Sequence, residues 1–446
     1  MNRAIYRLLR FNHKGRQWLT QYLTPTGLSV LVALFVFGLI SLDIRRSVSY
    51  QVFAFLLALL ATSALLRYGS RFGRRSRDRL RATRHLPRFG TVGVPLRYRI
   101  VIDNRSKKHS VFSWRESFEN AFPSFYDFQQ FARAKKRSRQ DWFKLLARQQ
   151  RAVASPSALL PLAGESETEV VAELLPLRRG LLSFGALILT CPEPLGLMNR
   201  CITLSLAQTV LVLPKRYQLP ALDLPGARCY QADGLALVSA LGDSEEFRAL
   251  RDYRPGDSVR KIHWKSWAKT GRPIIKEEQS EYSVRHALVL DTFQLESYSE
   301  IMEEAVAIAA SFAYTIQTQE SLLDMVFVND QAHCFTAGRG LGQTERLLEL
   351  LASVVLCQNE SFSALLPIVR SRLSLLSGCI CIFLTWDCDR QALIEQLQAA
   401  NIPTLALIVA PAAGLSEPID RSCLRNSQSS IHVLHIGRIQ QDLWNL

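Results

Sequence analysis

The residues best able to do chemistry lie within positions 246–276, the densest run of charged, aromatic and turn-forming residues in the chain. Asp257 and His263 could act as acid and base if their side chains converged in one pocket. Catalysis would also need a nucleophile, yet Ser258 and Ser266 lie in no recognised motif such as Gly-x-Ser-x-Gly. If the two side chains do converge, one hypothesis is a membrane-bound hydrolase that acts on envelope precursors through Asp257 and His263.

The same segment also fits a structural or docking role. Residues 254–257 read Arg-Pro-Gly-Asp, in which Pro fixes φ, Gly accepts a positive φ and Asp bonds to the backbone just beyond. They predict a sharp turn. The arginines on both sides of this turn could pair with Asp252 and Asp257 as an internal ion network. Trp264 is expected to pack against the sheet or, if exposed, to form a protein-binding hot spot.

The segment resembles the signature of a bacterial family known as domain of unknown function 58, roughly E-F-x-x-L-R-[ED]-Y-x-x-G-D-x-x-R-x-I-x-W-K. The resemblance extends upstream to residues 177–180 and 192–197, and covers roughly residues 27–446. The residues that match the signature are Glu246, Phe247, Leu250, Arg251, Asp252, Tyr253, Gly256, Asp257, Arg260, Ile262, Trp264 and Lys265. The predicted docking residues are Arg251, Asp252, Tyr253, Gly256, Asp257, Arg260, His263, Trp264 and Lys265.

The resemblance implies a C-terminal domain similar to von Willebrand factor A domains, in which Asp-x-Ser-x-Ser, with a distant Thr and Asp, can bind a divalent cation. The corresponding stretch here, 291–295, reads Asp-Thr-Phe-Gln-Leu. Phe293 and Leu295 stand where hydroxyl oxygens are needed. We therefore expect a degenerate site without a metal or cofactor, in which Asp291 caps the following loop or helix. The remaining oxygen donors are Asp291, Thr292, Thr385 and Asp387.

The resemblance also implies partners. Proteins of this family look like partners of MoxR-type AAA+ ATPases and often accompany membrane transglutaminase-like proteins. The expected function is thus that of a non-enzymatic adaptor or scaffold, which docks an ATPase or client proteins through the α/β domain and the signature segment. The sequence contains no Walker loop ending in Gly-Lys-[Ser/Thr], so we do not expect the chain to hydrolyse nucleotides itself.

Positive charge is concentrated at the start of the chain. The net charge is +15, and residues 1–84 alone carry 15 Lys and Arg against two Asp, so the rest is nearly neutral. No basic patch with interleaved aromatics dominates that remainder, and nucleic acid is not an expected partner. Basic residues around apolar segments indicate a membrane instead.

Two uncharged runs within residues 1–84 predict a transmembrane hairpin, with spans at about residues 24–42 and 47–66. A bilayer core needs about 20 residues of helix. The alternative is a buried soluble hairpin, but neither run keeps the polar face of a domain helix. Eight arginines within 67–84 and five basic residues within 1–16 predict that both termini and the soluble domains lie in the cytoplasm. The resemblance to a bacterial family implies that the membrane is the inner membrane.

The remaining patterns predict two soluble domains, and hence a membrane-anchored multidomain fold. Short alternating runs bounded by Pro, Gly or Asn predict a β-sandwich over 88–215. Its basic insertion, 128–151, is either a solvated charge run or a membrane-sensing arm on anionic headgroups. Residues 216–284 are assigned to a connector and the signature segment. Apolar strands alternating with helices over 285–446 predict a doubly wound α/β sheet, whose ligands bind beyond the carboxyl ends of the strands.

Overall fold

The computed structural model divides into two compact units, which are Met1–Lys215 with Leu348–Val354 and Arg216–Leu347 with Val355–Leu446. The residues that it describes are 2–41, 47–69, 79–106, 111–118, 125, 150–154, 157–158, 162–220, 246–255, 257, 259, 262–279, 285–294, 299–318, 322–329, 332–337, 341–357, 361–411 and 429–446.

Three helices open the first unit, namely α1 (Asn2–Tyr22), α2 (Pro25–Ile40) and α3 (Ser47–Gly69). The Thr24 hydroxyl caps α2 by accepting a hydrogen bond from Gly27 N–H at 3.0 Å. Within the described part of the chain, one helix is long and apolar enough to cross a membrane, over the 20 residues Val48–Arg67 of α3. The 16-residue α2 is apolar but shorter. Of the two predicted spans, the structure therefore supports the second by length and composition.

The rest of the first unit is a sandwich of two sheets. The first has the strand order β1-β3-β7-β5 and the second β2-β9-β8-β4-β6. Inward-facing residues of both sheets, such as Ile100, Trp114, Phe184 and Val212, form one core. The strands are β1 (Leu80–His85), β2 (Phe89–Thr91), β3 (Leu96–Asn104), β4 (Ser113–Phe118), β5 (Ala152–Ala154), β6 (Ser157–Ala158), β7 (Ser166–Pro176), β8 (Gly180–Pro192) and β9 (Asn199–Leu213).

The sandwich begins eight residues before the predicted start at 88, because β1 pairs along its whole length with β3. The guanidinium of Arg84 in β1 donates to both carboxylate oxygens of Glu116, at 3.1 and 2.6 Å, with both side chains fully buried. Its place in an arginine-rich run predicts that Arg84 flanks the membrane. This prediction is wrong, because Arg84 lies in the interior of the sandwich. The predicted insertion at 128–151 falls, apart from its last two residues, outside the described residues.

The second unit contains a two-stranded sheet of β10 (Glu246–Asp252) and β11 (Ile274–Gln279), with α4 (Trp264–Thr270) between them. It also contains a six-stranded sheet. The elements of that α/β part are β12 (Arg285–Leu290), α5 (Glu300–Thr318), β13 (Leu322–Val328), β14 (Ala332–Ala337), α6 (Leu341–Ser353), α7 (Leu366–Arg370), β15 (Gly378–Phe383), α8 (Cys388–Ala399), β16 (Thr404–Ala410), β17 (Ser430–His435) and α9 (Ile439–Trp444). The residues of α6 from Leu348 onward belong to the first unit.

The six strands lie in the order β14-β13-β12-β15-β16-β17. All neighbours are parallel except β13 and β14, which form an antiparallel edge that the sequence did not predict. The chain leaves β12 on one side for β13 and later returns on the other side as β15. The carboxyl ends of β12 and β15 therefore form a topological switch point, the usual place for a ligand in such sheets.

Candidate functional site

The signature segment folds as a β-hairpin with a helix between its strands. β10 and β11 pair antiparallel, and the N–H of Tyr253 donates to the carbonyl of Pro273 at 2.9 Å just beyond the ladder. The N–H of Asp257 donates to the carbonyl of Arg254 at 3.0 Å and closes the turn expected at 254–257. Two signature residues, Gly256 and Arg260, lie outside the described residues.

Asp257 is held by a forked ion pair. Its two carboxylate oxygens accept hydrogen bonds from the two terminal nitrogens of Arg251, each at 2.7 Å, and one of them also accepts from Arg254 N–H at 2.8 Å. The bonds from Arg251, followed by that from the Arg254 amide, lower the pKa of Asp257 to about 2. Asp257 therefore stays ionised as a turn-closing acceptor, whereas a general base works best with a pKa near the working pH.

His263 begins α4 and forms separate contacts. Its ring Nδ1 lies 2.6 Å from the hydroxyl oxygen of Ser266, and its backbone N–H donates to the carbonyl of Ile274 at 2.8 Å. The second of these bonds ties the start of α4 to β11. Asp257 and His263 thus bond to different partners, so the hydrolase hypothesis lacks support from the shared geometry that it requires.

Two tryptophans stack on α4. The ring centroids of Trp264 and Trp267 are 5.2 Å apart with the planes inclined by 19°, and Trp264 is 64 % exposed. Of the other predicted docking residues, Asp252 and Lys265 are exposed and Tyr253 is half-buried. A large exposed aromatic beside charged residues is a feature of many protein-binding hot spots.

Asp291 lies at the switch point, immediately beyond β12, and is completely buried. One of its oxygens accepts hydrogen bonds from Nε and Nη2 of Arg390 at 2.9 and 2.8 Å, and from Leu384 N–H at 3.0 Å. The other accepts from Phe293 N–H at 3.0 Å. Burial raises the pKa of Asp291, while Arg390 and the two backbone amides oppose that increase.

Two of the other three predicted oxygen donors form hydrogen bonds of their own. Asp387 caps α8 by accepting from Arg390 N–H at 3.1 Å and pairs with the Arg390 guanidinium, so two carboxylates converge on one arginine. The hydroxyl of Thr292 donates to the carbonyl of Val328, and Thr385 is exposed. Among the described residues, no group of three or more His, Cys, Asp or Glu could hold a metal ion. The positive charge beside these carboxylates comes from Arg390.

A loop between β8 and β9, residues 193–198, contacts α3 and the start of α2. An oxygen of Glu193 accepts from the hydroxyl of Ser63 in α3 at 2.5 Å. At the start of α2, the hydroxyl of Thr24 lies 2.6 Å from the carbonyl oxygen of Gly196 in the loop. A Cβ added to Gly27 would lie 1.9 Å from the carbonyl oxygen of Leu197, so only glycine permits this approach. We call residues 193–198 the helix-gripping loop.

These features define a class of protein with an apolar helical segment, a β-sandwich and a mixed α/β sheet. Residues 249–364 match the family model described as "Protein of unknown function DUF58". Over these residues the chain is similar to the DUF58 family, as its signature residues predict. The chain is also 23 % identical over 184 residues to "Uncharacterized protein YeaD" of Bacillus subtilis (strain 168). The similar region spans 40 % of this chain and 44 % of that protein, less than half of the relative's length.

Sequence reasoning missed the two residues that complete these sites. Arg390 follows Asp387 by three positions at the start of a helix, which is a detectable signal for a capping pair. Its contact with Asp291 spans 99 positions and carries no local signal. Glu193 was noticed only as part of the family's upstream motif, and nothing in the sequence points from it to Ser63.

Proposed function

We propose that this chain is a non-enzymatic adaptor at the bacterial inner membrane that docks a MoxR-type AAA+ ATPase through the signature segment. The observation that carries the proposal is the exposed Trp264, stacked on Trp267 in the most distinctive segment of the chain. An aromatic of this size is costly to leave in water, and such residues dominate the binding energy of protein interfaces. Client proteins, including a transglutaminase-like membrane protein, would use the same adaptor.

The surroundings of Trp264 support a preformed docking surface. The Asp257–Arg251 pair closes the turn before α4, and the Gly271 N–H bond to the Trp267 carbonyl at 2.8 Å ends the helix. A segment fixed in this way loses little conformational entropy when a partner binds. The hairpin therefore presents its aromatic pair in one arrangement.

The α/β domain fits the same role as a von Willebrand factor A-like scaffold without a cation. A mixed sheet with its switch point beyond β12 and β15 is compatible with such a domain. At the switch point the carboxylate of Asp291 is compensated by Arg390. A guanidinium with fixed hydrogen bonds offers no exchangeable ligand position, so this domain would act through its surface and not through a bound metal.

For the membrane, we propose that α2 and α3 both span, with the soluble units in the cytoplasm. The α2 helix rises about 24 Å at 1.5 Å per residue, which is short for a bilayer core of about 30 Å. A locally thinned bilayer would accommodate the difference. The helix-gripping loop holds α2 and α3 at one end, so both would enter the membrane beside the sandwich.

Affinity purification of the tagged full chain from its own membranes, followed by mass spectrometry, tests the docking proposal. We expect an AAA+ ATPase to co-purify with the wild type. Trp264→Ala should reduce its recovery by about tenfold or more, since hot-spot tryptophans contribute about 2 kcal/mol or more.

The matched control is Trp444→Ala, because Trp444 is 63 % exposed on the same unit but lies outside the signature. It should leave the recovery unchanged. The docking proposal fails if repeated purifications recover no AAA+ ATPase, or if both substitutions reduce its recovery equally.

A further inference from the structure

All the charged side chains of the N-terminal helix are positive. α1 contains Arg3, Arg7, Arg10, Lys14 and Arg16 and no Asp or Glu. The first four follow one another at spacings of four, three and four residues, which places them along one stripe of the helix surface. All four are exposed. We call Arg3, Arg7, Arg10 and Lys14 the basic stripe.

Beside the basic stripe runs an exposed aromatic stripe. Phe11 follows Arg7 by four positions, and Trp18 follows Lys14 by four and Phe11 by seven, so the two stripes are neighbours along two turns. Phe11 is 79 % exposed and Trp18 48 % exposed. Phe11, Trp18 and the basic stripe together have the composition of a helix that lies in a membrane interface.

The end of α1 is fixed close to the apolar helices. Only Leu23 and Thr24 separate α1 from α2, and the guanidinium of Arg67 in the last turn of α3 lies 4.0 Å from the ring centroid of Tyr22. Leu23 also bridges to Met198 at the end of the helix-gripping loop. If α3 crosses the membrane, as its length and composition allow, the C-terminal end of α1 would lie at the level of the lipid headgroups.

We propose that α1 lies in the membrane interface, with Phe11 and Trp18 among the acyl-chain boundary and the basic stripe on anionic phospholipid headgroups. Lipid is favoured over a protein partner because the surface is uniformly cationic and continuous with the membrane segment. The rings bury apolar area in the boundary, and each cation gains from the negative surface potential. Arg3 also lies 5.4 Å from the ring centroid of Phe125.

The inference depends on membrane attachment but not on partner docking by Trp264. Photo-crosslinking tests it in the full chain, reconstituted in nanodiscs of neutral phosphatidylcholine or of phosphatidylcholine with about a third of phosphatidylglycerol. The photoreactive residue p-benzoylphenylalanine replaces Phe11. The control position is Thr20, which is exposed and lies nine residues, or two and a half turns, from Phe11 on the opposite face.

We expect lipid adducts at position 11 to exceed those at Thr20 about fivefold or more in anionic nanodiscs, and to fall about threefold or more in neutral ones. Replacing the basic stripe by glutamine should remove the dependence on anionic lipid. Equal adducts at both positions, equal adducts in both lipids, or adducts with protein in native membranes would overturn the proposal. Carbonate extraction reports separately on membrane attachment, and recovery of the ATPase reports on docking.

Discussion

Replacing Arg390 with methionine should destabilise the α/β domain by about 3–5 kcal/mol, because it leaves the buried charge of Asp291 without its partner. The hydrogen bonds of 2.9 and 2.8 Å from Nε and Nη2 disappear, while the amides of Phe293 and Leu384 remain. The guanidinium also lies 4.6 Å from the ring centroid of Phe362, a contact that methionine keeps only in part.

The loss of stability should increase with pH. Burial already raises the pKa of Asp291, and Arg390 opposes that increase, so the pKa should rise further in the variant. A carboxyl group with a raised folded-state pKa gives its full stability below the unfolded value, about 4, and loses it as pH rises through the folded value. We therefore expect Arg390→Met to be closer to the wild type at pH 5 than at pH 8.

Thiol labelling of the full chain measures this loss within the α/β domain. Cys379 and Cys381 in β15 are completely buried, so a maleimide reaches them only when the domain opens, and mass spectrometry identifies their peptide. When closing is faster than labelling, the labelling rate follows the population of the open state. A change of about 3–5 kcal/mol corresponds to roughly two to three and a half powers of ten in that population.

Two further variants separate the buried charge from a general effect. Asp291→Asn combined with Arg390→Met should recover most of the stability, since no charge is then buried without a partner. Arg370→Met changes an exposed arginine of the same domain and should have little effect. The reasoning is refuted if Arg390→Met labels within about threefold of the wild type at pH 8, or if the double variant is no more stable than the single one.

Two substitutions and one control variant test the first unit. Arg84→Met removes a buried cation of the sandwich and should lower the free energy of unfolding by about 3–5 kcal/mol. Urea unfolding, monitored by limited proteolysis, measures this loss, and an unchanged urea midpoint would contradict the prediction. Gly27→Ala places a Cβ 1.9 Å from the carbonyl oxygen of Leu197, so α2 should separate from the helix-gripping loop and the half-buried Cys201 should label faster. Gly15→Ala, whose Cβ meets no atom within 4 Å, should stabilise α1 by about 0.5–1 kcal/mol without affecting Cys201.

The strands that the sequence predicted best are those with a strong local pattern. Alternation over residues 96–103 and the apolar run 286–290 correspond closely to β3 and β12. β1 was missed because its arginines resemble a membrane flank, and the burial of Arg84 depends on Glu116, 32 positions away. The antiparallel β14 was missed because the direction of an edge strand is set by its pairing with β13, which no local pattern encodes.

In the candidate sites, too, local features were predictable and long-range contacts were not. The Arg-Pro-Gly-Asp turn was predictable because its hydrogen bonds span three residues. The role of Asp257, as a base or as a structural acceptor, was not predictable, because it depends on which of several arginines reaches the carboxylate. Trp264 could have been buried or exposed, and only the fold shows that it is exposed.

The sequence by itself determined the apolar helical segment with its basic flanks, the alternation of strand and helix, and the signature of the DUF58 family. These properties depend on composition and on spacings of a few residues, over which the periodicity of helix and strand is fixed. Only the tertiary structure decided which charges meet. Coulomb attraction and desolvation depend on the distance between atoms and on their burial, and the sheet brings Asp291 and Arg390 together from positions 99 residues apart.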